Sequence, residues 1–156
     1  MRIDGNRARL VSGGTAILAA STLLLTAAPL AHAGGKPRST SLPGGAKLTS
    51  NIWYSNSLSF RGCGDYQVSA VISGGKAPRS GKDNVKTRVT ATGYGVAWNG
   101  SPLTSGTLDK SVTNNKGQRG AYLKGSKCYG MTTVYVTYNN TASTFYYGTH
   151  RNVSAS

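Results

Sequence analysis

From Asn51 onward the chain is built from Thr, Val, Tyr and Ser, with apolar and polar side chains alternating in short runs. A Gly-containing cluster interrupts these runs about every eight to twelve residues, and no window carries apolar residues at helical spacing. Period-2 runs bounded by turn formers predict strands, here over 51–60, 66–73, 84–91, 93–98, 111–114, 121–124, 129–138 and 144–150. Within 66–73, Tyr66, Val68, Ala70 and Ile72 share one face. Within 129–138, Val134, Val136 and Tyr138 share one face, and Met131, Thr133 and Tyr135 the other. The connecting stretches 73–82, 98–102, 114–120 and 138–143 are rich in Gly, Asn, Ser and Pro, the residues that turns need.

One segment breaks its own pattern. Between Asp83 and Trp98 the apolar positions first fall on odd numbers, Val85, Val89 and Ala91, and then on even ones, Tyr94, Val96 and Trp98. A strand cannot move its apolar face by one residue without an insertion. The flip falls at Thr92-Gly93, so a bulge or bend at Gly93 is expected, with Val85, Val89, Tyr94, Val96 and Trp98 in the core. Lys86 and Arg88 then face away from that core.

These elements predict an all-β domain, a small antiparallel β-sandwich or partly open barrel of about seven to eight short strands. Cys63 and Cys128 are expected to form one disulfide that closes a loop of about 66 residues. The spacing invites an immunoglobulin comparison, but the other marks differ. Trp98 lies 35 residues beyond Cys63, and Ser126 stands where a tyrosine corner would be.

The N-terminus reads differently. Arg2, Arg7 and Arg9 precede an uncharged apolar run from Thr15 to Ala31, which ends in Ala31-His32-Ala33. Residues 1–33 therefore read as a secretory signal peptide, which places the protein outside the cell. Residues 34–50, with four Gly and two Pro, read as a flexible arm that lies free or pairs with a partner's sheet edge. A single β domain is expected over 51–156. Removing the first 33 residues leaves fifteen basic and three acidic side chains, a formal charge of +12. Such a field attracts anionic surfaces and polymers.

Catalytic chemistry finds little material. The remaining histidine is His150, and the remaining acids, Asp65, Asp83 and Asp109, are scattered. No nucleophile elbow, phosphate-binding loop or cluster of metal-ligand types is evident. No enzyme activity, catalytic residue, metal or cofactor is expected; a small secreted hydrolase or nuclease is the least supported alternative.

The candidate binding residues are basic and aromatic. Lys76, Arg79, Lys82, Lys86 and Arg88 fall within thirteen positions, and Lys116, Arg119, Lys124 and Lys127 form a second group flanked by Tyr122 and Tyr129. The expectation is a secreted, non-enzymatic basic binding domain whose partner is another secreted protein, as in an adaptor subunit of a toxin-like assembly, or an anionic envelope polymer. Nucleic acid is a less favoured partner, with the two tyrosines available for base stacking. The stretch Ala142-Ser143-Thr144-Phe145-Tyr146-Tyr147-Gly148 resembles the Tyr-Tyr-rich C-terminal end of lactococcin-type secreted bacteriocins. That seven-residue resemblance implies the alternative of an antimicrobial protein acting at an anionic envelope.

Overall fold

A computed structural model of the chain describes residues 35–55 and 58–156. The expected signal peptide, 1–33, lies outside the described residues. Eight strands run in order: β1 (Arg38–Ser41), β2 (Lys47–Tyr54), β3 (Cys63–Ser73), β4 (Asn84–Val96), β5 (Pro102–Asn114), β6 (Gly120–Cys128), β7 (Thr133–Tyr146) and β8 (Thr149–Ala155). A short 3₁₀ turn, Pro43–Gly45, links the first two. They form two antiparallel four-stranded sheets, ordered β1-β2-β3-β6 and β5-β4-β7-β8. The protein is a β-sandwich. The chain changes sheet after β3, after β5 and after β6, so neighbours in sequence are often on opposite sheets.

The stretch expected to be an arm is part of the sandwich. β1 pairs with β2 from Arg38↔Ser50 to Ser41↔Lys47. Leu42 and Leu48, its two large apolar side chains, are 6% and 0% exposed in the core. Burial of those two leucines and backbone pairing order a segment whose composition alone reads as a linker.

The core has two clusters. Leu42, Leu48, Ala70, Ile72, Val85, Ala142 and Tyr146 fill one end, and Ile52, Tyr66, Val68, Val89, Leu108, Tyr129 and Tyr138 the other. A buried amide ties the sheets together in the interior. Asn140 Nδ2 on β7 reaches Ser50 Oγ at 3.0 Å, the Asn51 carbonyl at 2.9 Å and the Ser69 carbonyl at 3.0 Å, all on the facing sheet. Thr87 Oγ1 donates to Asn140 Oδ1 at 2.7 Å, so both ends of the amide are satisfied.

The disulfide joins Cys63 and Cys128 as directly opposed residues of the neighbouring strands β3 and β6. It staples one sheet at its edge rather than bridging the two sheets, unlike the immunoglobulin arrangement.

β4 corrects the expectation at Gly93. It is one continuous strand of 13 residues, not two, and its inward positions stay on odd numbers throughout. The register does shift here, against β5 between Gly93 and Tyr94 and against β7 between Tyr94 and Gly95. The unpaired residues, Ser105 and Val134, belong to the neighbours, so β4 itself never turns over. Gly93 and Gly95 face inward because no side chain fits there. A Cβ on Gly93 would lie 2.8–2.9 Å from Tyr129 atoms, and one on Gly95 2.2 Å from the Thr132 carbonyl oxygen. Val85 and Val89 are core residues as expected. Tyr94, Val96 and Trp98 point outward, and Trp98 is wholly exposed.

Candidate functional site

The sandwich has two dissimilar ends. At the first, the β3–β4 and β5–β6 loops meet the tight β7–β8 hairpin. That hairpin turns on Tyr147 and Gly148, both with positive φ, at 47° and 84°. Two such residues match the strand twist in a two-residue turn. Tyr147 is held in this strained region by three contacts: its N–H donates to Asp83 Oδ1 at 3.0 Å, its hydroxyl donates to the Ala77 carbonyl at 3.0 Å, and the Arg79 guanidinium lies 4.3 Å over its ring. Tyr146 donates its hydroxyl to the Lys76 carbonyl at 2.6 Å. The Tyr-Tyr-Gly sequence thus has a structural role as the clamp on the β3–β4 loop.

Asp83 is the buried anchor of this end. Its carboxylate accepts from Arg79 Nε at 3.0 Å, Arg79 Nη2 at 2.7 Å and the Arg79 N–H at 2.8 Å, besides Tyr147. The Arg79 hydrogen bond, with the two backbone donors, holds the Asp83 pKa down at about 2 despite burial. Arg119 donates to the carbonyls of Gly74 and Gly75, and Gly81 N–H donates to the Asn115 carbonyl at 2.8 Å, which joins the two loops.

This geometry sorts the candidate residues. Lys76, Lys82 and Arg119 come together at this end, with Lys116 and, at the start of β2, Lys47. Tyr122 belongs with them: it lines a groove of about 270 Å³ together with Lys116 and Gln118. Arg79 is present but committed to Asp83 and Tyr147. Lys86 and Arg88 lie on the outer face of β4, where Arg88 pairs with Asp109 of β5 through Nε–Oδ1 at 2.8 Å and a second, parallel contact. Lys124 sits on the outer face of the other sheet opposite Gln67, and Lys127 lies at the far end opposite Gly64. Tyr129 is a core residue, 4% exposed, and burial raises its hydroxyl pKa. The eleven candidates therefore do not form one patch. His150 is on β8 with its ring 4.6 Å from that of Phe145.

No protein-family model matches the chain, and no curated protein matches it. Among solved structures it is similar to one named pT26-6p, at 8% identity and a TM-score of 0.39, over 78% of this chain. The chain spans 23% of the length of that structure.

The second end carries what the sequence pattern concealed. Phe60, Trp98 and Met131 are 90%, 103% and 71% exposed. Each sits at the first central position of a hydrogen-bonded turn: Gly62 N–H to the Ser59 carbonyl at 2.8 Å, Gly100 N–H to the Ala97 carbonyl at 2.9 Å, and Thr133 N–H to the Gly130 carbonyl at 3.1 Å. The turns are neighbours. Tyr129 N–H donates to the Gly62 carbonyl at 3.0 Å, and Val96 N–H to the Thr132 carbonyl at 3.3 Å. Beside them, on the outer sheet face, the Tyr94 and Tyr135 rings stack at 4.9 Å. With Val96, Leu103 and Val134 they line an open groove of about 480 Å³. The alternation rule assigned Trp98 to the core; its position between Ala97 and Asn99-Gly100, a turn sequence, is the signal that it stands outside.

Proposed function

We propose that this protein is a secreted, non-enzymatic binding module that takes an anionic envelope polymer on its basic end. The observation that carries this is the set Lys47, at the start of β2, and Lys76, Lys82, Lys116 and Arg119, on loops that are fixed in place, all of them exposed or half-exposed. Among the described residues the one carboxylate at that end, Asp83, is buried and already paired with Arg79. Cations on a rigid frame lose little freedom on binding, and their field steers a polyanion from a distance. Tyr122 adds a flat apolar contact beside Lys116. A disulfide suits an oxidising compartment, and among the described residues no helix is long and apolar enough to cross a membrane. A free arm offered to a partner protein has less support, because β1 pairs within its own sheet.

The test uses K76Q/K82Q/K116Q, which leaves the loop-fixing Arg79 and Arg119 intact. Elution of the wild type from immobilised poly(glycerol phosphate) is expected to need clearly more salt than elution of the variant, with the melting temperatures alike. Equal salt for both would refute the basic end as the binding surface.

A further inference from the structure

The opposite end of the molecule has a chemistry of its own. Three adjacent turns lift one large apolar side chain each, Phe60, Trp98 and Met131, clear of the protein surface. Side chains of this size rarely stand almost fully in water, and three together mark a contact surface. They belong to three separate loops, so no single sequence accident explains them. Behind the tips comes the stacked pair Tyr94 and Tyr135, and behind that the Thr- and Ser-rich outer face of β4 and β7. Apolar tip, amphipathic ring and polar sheet follow each other in the order that a bilayer presents acyl chain, headgroup and water.

We propose that this end docks on an anionic lipid bilayer, with Phe60, Trp98 and Met131 entering the boundary between headgroups and acyl chains. Charge selects this occupant. Arg61 is exposed at the second central position of the Phe60 turn, and Lys127, opposite Gly64, is the residue before the last of β6 at this same end. A chain with fifteen basic and three acidic side chains beyond residue 33 repels a second copy of itself and is drawn to anionic headgroups. The turns are braced by the adjacent Cys63–Cys128 disulfide and by backbone hydrogen bonds, so the tips reach the membrane already ordered. This surface lies at the far end from the basic loops and does not depend on their role.

The experiment uses the full secreted chain carrying W53F, so that Trp98 is the one tryptophan. Vesicles of phosphatidylglycerol and phosphatidylcholine, and of phosphatidylcholine alone, are added. On anionic vesicles the Trp98 emission is expected to shift to the blue and to be quenched by lipids brominated near the top of the acyl chain. F60S/M131S on that background should weaken vesicle affinity by roughly tenfold or more while leaving elution from poly(glycerol phosphate) unchanged. Binding without a blue shift, or equal affinity in the two variants, overturns the proposal, because the basic loops alone would then hold the protein to the vesicle. A concentration-dependent dimer, abolished by F60S/M131S, that binds no vesicle would overturn it in favour of a second copy.

Discussion

Asp83 shows how much one buried side chain carries. Its carboxylate gathers four donors from Arg79 and Tyr147 and so fixes the β3–β4 loop, the hairpin turn and the basic end together. Its pKa is lowered in the fold, to about 2, so the anion is favoured more strongly there than in the unfolded chain. The contribution is therefore present above about pH 4 and is lost as the pH falls towards 2. Replacing Asp83 with Asn at pH 7 is expected to cost about 3 kcal/mol, since a buried charged acceptor is lost and an N–H₂ group faces donors. Melting curves of wild type and D83N across pH 7 to 2 check both points. The gap between them should close in the acid range, and a gap independent of pH would overturn the assignment. Asp83 was legible in the sequence only as one acid among Lys and Arg. Its partners come from two loops and a hairpin that the crossovers bring together, and no local pattern reports that.

Along β4 the question is which side of the strand is inside. Alternation predicted the strand and placed Val85 and Val89 correctly. It failed beyond Thr92 because it assumes that the larger apolar side chain takes the inner face. Space decides instead: Tyr129 and the Thr132 backbone already occupy the interior there, so Gly93 and Gly95 fill the inward positions and Tyr94 and Val96 go out. The two glycines share the odd parity of Val85 and Val89, which was the legible clue. The arm at 34–50 failed for a related reason. Two leucines suffice to fix a short edge strand when a sheet waits beside it. A pair of substitutions tests the orientation of β4. Val96→Thr, on a side chain 47% exposed, is expected to change stability by no more than about 0.5 kcal/mol. Gly95→Val forces a Cβ against the Thr132 carbonyl and is expected to cost about 3 kcal/mol or more. Thermal unfolding of the two variants checks this. The opposite ranking would mean that β4 turns over at Gly93 after all.

For the whole molecule, the sandwich class and the cysteine pair were legible because strand periodicity and cysteine count are properties of the chain itself. The division into a basic end and an apolar end was not, because it follows from the strand order. Lys124 and Lys127 follow Arg119 closely in sequence, yet β6 carries them away from it along the length of the sandwich, while Arg119 donates to the carbonyls of Gly74 and Gly75, next to Lys76 and 45 and 44 positions earlier in the chain. The disulfide acts at this scale too. Cys63 and Cys128 lie 65 residues apart and enclose β4 and β5 with all of the basic loops, while the bond itself sits among the apolar turns. Closing a loop of that length removes unfolded-state freedom worth roughly 4 kcal/mol in the chain-entropy account. Replacing both cysteines with Ser should lower the melting temperature by on the order of 15 °C. The Asn140 bridge still ties the two sheets, so the transition of the double variant is expected to remain a single one, seen at the same temperature in tyrosine circular dichroism and in the emission of the partly buried Trp53. An unchanged melting temperature would show that β3 and β6 need no staple. Separate transitions for the two probes would show that the disulfide, rather than the buried amide, makes the sandwich one cooperative unit.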